Sequence, residues 1–335
     1  MDKFLIDMLE CPVCHQSLDW QIDEQFNDHI EKAEARCVGC NAVYPIRDGI
    51  GIFLTPYLPR NDLWEQVESQ LTIYLQDHPD IERQLMDTPI DDLSPTDQHF
   101  RALVLEERGD FTGSREAEVL SNQNLYTSAY TNCWDSQIKY TLDALSTLDG
   151  PVVDLASGRC YLVEKIIEQL KKSVVASDFS LNVLRRDIKL FEFLGIEQHV
   201  SLLAFDARLT PFRDGSIKTM TTNLGLPNIQ NPGRLLHELN RIVCGTMLAI
   251  SQFFPVDDEP NKKVIVDAGL DPLLYRLSAI EHFISAGWSV KVENTCVAEA
   301  LPTPASKLLE GARADGLPVA PTEMEWCVLR ATNAE

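Results

Sequence analysis

No apolar run in this sequence approaches the roughly 20 residues that a membrane-crossing helix needs. Basic residues are scarce: 29 Lys and Arg stand against 51 Asp and Glu, for a formal net charge of −22. No basic run is longer than the pairs Lys171-Lys172, Arg185-Arg186 and Lys262-Lys263. Proteins grip free nucleic acid largely through Lys and Arg that neutralise phosphates, so this charge balance disfavours RNA or DNA as a direct partner. The opening MDKFLIDMLECPVC is acidic and reaches a cysteine pair at once, unlike a secretory signal. A cytoplasmic protein with no membrane association is expected.

What is present suits a folded enzyme-sized chain. Hydrophobic residues make up 44% of 335 residues, enough for a sizeable core and for more than one domain. Three zones differ in character. Residues 1–57 carry two cysteine pairs and close on the β-like run AVYPIRDGIGIFL. Residues 58–125 are polar, with helical periodicity in NDLWEQVESQLTIYL and HFRALVLEER, interrupted at Pro79, Pro89 and Pro95. Residues 126–335 alternate short apolar runs with amphipathic stretches, and the Pro-rich 301–323 reads as a surface excursion.

Cys11 and Cys14 form one C-x-x-C, and Cys37 and Cys40 form another. Each pair can wrap a tight turn that aims two thiolates at one ion, and two turns complete a closed, tetrahedral structural Zn2+ site. His15 is a possible substitute ligand, though four cysteines suffice. The other five cysteines stand singly and read as buried thiols. The segments CPVCHQSLDW and RCVGCNAVYPIRDGIGIFL, with the run Tyr44 to Ile50 most distinctive, resemble the small zinc-ribbon activator of tRNA and protein methyltransferases and its bacterial homologues. The resemblance implies a zinc ribbon that stabilises or positions a methyltransferase, here on the same chain.

Strands are predicted at 152–156, 173–178, 201–207, 217–223, 246–253, 288–294 and 325–331, with helices at 161–172, 180–195, 233–243 and 272–288 between most of them. This is an α/β pattern: a doubly wound, mostly parallel seven-stranded sheet. The segment PVVDLASGRCYLVEKII is a strand, a tight loop with Gly158, and a helix, which brings backbone N–H groups toward a ligand. Asp154, Asp178, Asp206 and Asn223 then close four successive strands, where the ligand crevice of an open sheet lies. Any one of them reads equally well as a turn or capping residue; the series is the signal.

Residues 126–335 as a whole resemble class I S-adenosylmethionine-dependent methyltransferases, the run DARLTPFRDGSI included. Carried over by position, the resemblance implies that Asp154, Ala156, Ser157, Gly158, Asp178, Phe179, Asp206 and Ala207 bind S-adenosylmethionine, with Asn223 facing methyl donor or substrate. The chain departs from the pattern at the first loop, where Ala156, Gly158 and Cys160 occupy positions that usually carry two or three glycines. Lys218 replaces an acid, Cys244-Gly245 replaces a Pro-Gly-Gly turn, and Asn-Pro-Pro-Tyr after the fourth strand is absent. That last absence counts against N-methylation of adenine or glutamine.

Methyl transfer is an in-line displacement that depends mostly on positioning in a dry pocket. No nucleophile is required of the protein, and a base only where the acceptor must lose a proton. His237 and His282 are generic candidates for that base. Tyr126, Tyr130 and Trp134 share a helical face that either packs on the sheet or covers the cofactor. The expected activity is methylation of a small-molecule or protein acceptor. An RNA methyltransferase and a non-catalytic scaffold remain as alternatives.

Overall fold

Residues 1–55 and 71–334 are described by the computed structural model. The boundary expected at 57/58 and the first part of the helix expected at 61–75 lie outside them; residues 71–77 are helical.

The sheet is built from segments too apolar to face water. β5 (Val152–Leu155), β6 (Val174–Asp178) and β7 (Val200–Ala204) are buried at every position, as parallel strands covered on both faces must be. With β8 (Ile217–Asn223), β9 (Val243–Phe253), β10 (Trp288–Ala300) and β11 (Thr322–Asn333) they run in the order β7-β6-β5-β8-β9-β11-β10. β5 to β9 are mutually parallel, and β11 lies antiparallel between β9 and β10. The chain steps outward from β5 in one direction and then returns to lay β8 on its other side. The strand order therefore switches beside β5, where such folds open a crevice.

The expected seven strands are a correction: among the described residues the sheet has eleven. β1 (Leu18–Phe26), β2 (His29–Cys37), β3 (Val43–Arg47) and β4 (Ile50–Ile52) form an antiparallel meander, and β4 then pairs parallel with β7. Without β4, β7 would present an open row of N–H and C=O groups, and the N-terminal segment covers it. Met1, Leu5, Leu9, Tyr44, Ile46 and Phe53 join Val153, Leu155, Leu203, Phe205 and Phe212 in one buried cluster. The amide of Glu10 donates to the Pro211 carbonyl at 2.7 Å, and that of Arg213 to Met8 at 2.9 Å.

Two other expectations change. The helix expected across 272–288 is two, Asp271–Leu274 and Arg276–Ser285, because the Leu274 carbonyl accepts from the Phe254 amide at 3.0 Å. The Pro-rich 301–323 is the surface excursion expected, and it is anchored at several points. Leu309 is buried among Leu71, Leu75, Leu85, Phe100, Leu103 and Val104. Buried Asp97 accepts from the Lys307 and Leu308 amides at 3.2 and 3.3 Å, and Asn261 accepts from the Val319 amide at 2.7 Å. Pro79 and Pro95 open helices (Pro79–Asp87, Pro95–Glu107) instead of merely interrupting them, since a first-turn residue has no N–H to pair.

Candidate functional site

The turn after β5 is short and strained. Ala156, Gly158 and Cys160, the three positions of the glycine-poor loop, all sit in the left-handed region, with φ of 52°, 53° and 58°. Hydrogen bonds fix the turn to β6: the Ser157 amide donates to the Ser177 carbonyl at 2.8 Å, and the Ser177 amide donates to Ser157 Oγ at 3.1 Å. The helix Tyr161–Leu170 starts immediately beyond and points its N-terminus at the crevice.

A cavity of about 280 Å³ opens there. Its wall includes Ala156, Ser157 and Gly158 from the first loop, Asp178 and Phe179 after β6, Asp206 and Ala207 after β7, and Asn223 at the end of β8. Asp178 spans the gap between two loops, accepting from the Gly158 amide at 3.1 Å and the Ser180 amide at 2.9 Å. Both oxygens of Asp206 are engaged by Arg208, whose guanidinium lies 2.7 Å away at its nearest.

Asp154 differs from the other candidates. It does not line the cavity but lies beneath the loop, 1% exposed, accepting from the Thr221 hydroxyl at 2.6 Å. Burial pushes its carboxyl up to about 6 despite that hydrogen bond. The two histidines are elsewhere: His237 is exposed on the Pro232–Ile242 helix, and His282 Nδ1 faces the Ser278 carbonyl at 2.8 Å. Neither lines the cavity.

The aromatic face packs on the sheet. On the helix Ser128–Leu145, Tyr130 stacks on Tyr126, with centroids 5.2 Å apart, and meets the edge of Trp326 at 5.0 Å. Trp134 reaches further, meeting Tyr161 edge-on at 5.8 Å and donating from Nε1 to Asn223 Oδ1 at 3.4 Å. Arg159, Tyr161, Arg208, Asn228 and Gln230 also line the cavity and were not singled out from sequence. Their signal is positional, since all lie in the connections that follow strands ending at the crevice, Tyr161 at the first turn of its helix.

The four cysteines of the N-terminal meander meet as expected. Their sulfurs all lie within 4.8 Å of one another, with Cys14 and Cys37 at 3.3 Å and Cys11 and Cys40 at 3.6 Å. A tetrahedron of sulfurs about 2.3 Å from zinc has edges of roughly 3.8 Å, so the cluster has the right size. The amides of Gly39 and Cys40 point at Cys37 Sγ, as donors to a thiolate do. His15 is turned away, its Nδ1 2.7 Å from Glu10.

Residues 2–49 match the family model described as Trm112p-like protein, and residues 153–245 match one described as methyltransferase domain. A UPF0434 protein of Nitrosococcus oceani is 36% identical over 67 residues, which are 20% of this chain and 100% of that protein. Another, of Methylobacillus flagellatus, is 34% identical over 68 residues, again 20% of this chain and all of the relative. Among solved structures, the YcgJ protein of Bacillus subtilis aligns with 60% of this chain and 99% of its own, at 13% identity and a TM-score of 0.48. Geranyl diphosphate C-methyltransferase of Streptomyces coelicolor, solved with S-adenosyl-L-homocysteine, aligns with 60% of this chain and 78% of its own, at 17% identity and a TM-score of 0.45.

Proposed function

The chain belongs to the Trm112p-like, UPF0434 family through its N-terminal part and carries a methyltransferase domain over 153–245; on that premise we propose that it binds S-adenosylmethionine in the cavity beside Gly158 and methylates a small-molecule or protein acceptor. The observation that carries this reading is the convergence of four loops, each leaving a different parallel strand, on one cavity at the switch in strand order.

The residues present fit such a ligand. Asp178, already oriented by two backbone amides, is the acceptor for ribose hydroxyls. The loop of Asp206 and Ala207 flanks the place for the adenine, with Phe179 and Phe205 as apolar walls. Ser157 and Gly158 bring backbone to the cavity without bulk. S-adenosylmethionine, when bound, supplies a sulfonium methyl group open to in-line attack.

Of the described residues around the cavity, none is His or Lys. Burial raises the Tyr161 hydroxyl above its ordinary value, and the carboxylates of Asp178 and Asp206 are already engaged by two backbone amides and by Arg208. The chain's contribution is therefore to position the reactants and exclude water, with Asn223 and the Trp134 that holds it nearest the acceptor side. An acceptor able to attack without a protein base suits this site. The four-cysteine cluster takes zinc in a closed structural site and serves the fold. None of the nine cysteines is disulfide-bonded, and among the described residues no helix is long and apolar enough to cross a membrane.

Calorimetric titration of the zinc-loaded chain with S-adenosylhomocysteine tests the binding; absence of heat at millimolar ligand would refute it. Incubation with methyl-labelled cofactor and cell lysate then sorts the label. Label in protein or small molecules agrees with the reading, and label confined to RNA overturns the acceptor class.

A further inference from the structure

Two arginines hold the cofactor loop, and both are held by a helical segment that precedes the methyltransferase domain. Arg186, on the helix Leu181–Leu194, donates to the Gly158 carbonyl at 2.9 Å and to Asp187 at 3.0 Å. Asp187 is fully buried and accepts from the thiol of Cys160, the other end of the same loop, at 3.3 Å. Arg159, within the loop, lies over the Tyr161 ring, 5.6 Å from its centroid. The carboxylate that joins the two arginines is Glu106, at the end of the helix Pro95–Glu107. It accepts from Arg159 and lies 3.2 Å from Arg186 Nε. Glu118, on the helix Phe111–Leu125, takes the other amino group of Arg159.

All of these side chains are largely out of water: Glu106 is 6% exposed, Arg186 8% and Arg159 14%. Charges desolvated to this degree depend on their partners far more than surface pairs do, because an unpaired buried charge is costly. The loop they restrain has need of restraint. Two of its three left-handed positions are Ala156 and Cys160, which disfavour that conformation where glycine would adopt it freely.

We propose that Glu106 is a positioning residue for the S-adenosyl ligand: through Arg159 and Arg186 it locks the loop 156–160 in its binding conformation, replacing the order that a glycine-rich turn finds by itself. The inference rests on the cofactor reading above for its ligand, and on the ion-pair geometry alone for the loop.

Glu106→Gln keeps the shape and removes the charge. In the full-length zinc-loaded chain it should weaken S-adenosylhomocysteine binding at least tenfold by calorimetry. In the ligand-free chain, hydrogen exchange at amides 156–160 should rise at least tenfold, while amides 217–223 of β8 exchange as in wild type. An affinity within twofold of wild type overturns the proposal. If wild type itself binds no S-adenosylhomocysteine, the cofactor reading has failed and exchange decides: faster loop exchange in the variant sustains the latch, and unchanged rates overturn it. Should Glu106→Gln not fold, Arg159→Lys, which keeps the charge and loses the two-pronged grip, is judged by the same two measurements.

Discussion

The amide of Phe53 donates to the carbonyl of Ala204 at 2.8 Å. That contact extends the β4–β7 pairing to the brink of the Asp206 loop, so the N-terminal meander is part of the same sheet that carries the cavity. Gly51 sits in this seam, and a Cβ there would lie 2.7 Å from Leu203 Cδ2 and 3.1 Å from Met1 Sδ. Gly51→Val should therefore destabilise the whole chain by about 1–3 kcal/mol, the usual cost of overpacking. Urea unfolding checks it; an unchanged midpoint would show that the seam yields.

Zinc removal should be felt across that seam. A structural zinc supplies folding energy to a small metal domain, and here the domain's core is continuous with the sheet's. Treatment with a strong chelator should lower the melting temperature of the entire chain by about 10 °C or more, in one transition. If the larger part melts at its original temperature, the two cores are energetically independent.

Asp178 and Asp154 should separate cleanly. Asp178→Asn removes a charged acceptor from the cavity wall and should weaken S-adenosylhomocysteine roughly 10- to 100-fold, the worth of a hydrogen bond to a charged group. Asp154→Asn alters a carboxyl buried beneath the loop and keeps an oxygen for Thr221, so affinity should stay within about threefold of wild type, well under one such bond. Calorimetry of both variants decides; equal losses would place Asp154 in direct contact with ligand.

Cys160 bears a side chain at φ 58° and is fully buried. Cys160→Gly relieves a conformation that costs a non-glycine residue about 1–2 kcal/mol while losing the weak thiol hydrogen bond to Asp187, which Arg186 still holds, so the variant should remain folded. Cys160→Val puts a β-branched side chain where it is a conformational outlier and should lower the melting temperature sharply. Thermal unfolding of the pair checks the contrast.

Two buried carboxyls should add stability on mild acidification, against the buried Met1 amine, which opposes them. Burial pushes Asp187 up to about 7 and Asp154 up to about 6, so the folded chain keeps these protons where the unfolded chain has lost them. Their contribution is greatest at low pH and is lost as pH rises through the folded values. Between pH 8 and 6.5 these two carboxyls add about 1 kcal/mol, but desolvation pushes the Met1 amine down to about 5, and proton uptake by that amine in the unfolded chain over the same window costs about 1–2 kcal/mol. Buried His99, pushed down to about 4 mainly by desolvation, opposes them further as pH falls through its unfolded value near 6.5. Asp187→Asn removes the larger carboxyl contribution, so in a series of melting curves the variant should lose more stability than wild type between pH 8 and 6.5; parallel curves would overturn the assignment.

Local chemistry was legible without coordinates. The apolar runs of β5 to β9, the two C-x-x-C turns and the acids at strand ends announce themselves because period, turn chemistry and ligand type are properties of neighbouring residues. The misreadings share one cause. The parallel pairing of β4 with β7 is made by backbone groups that every sequence has, so eleven strands looked like seven. The anchoring of the Pro-rich 301–323 was not legible because its partners, Asp97 and Asn261, lie far away in the chain.

By itself, then, the sequence determined the α/β alternation, the cysteine cluster and eight residues of the cavity wall, all of which follow from short-range pattern. Only the tertiary structure decided that Asp154 lies under the floor, that Arg208 covers Asp206, and that Glu106 reaches the loop at Gly158. Those are matters of which buried charge meets which, and burial exists only once distant segments have packed.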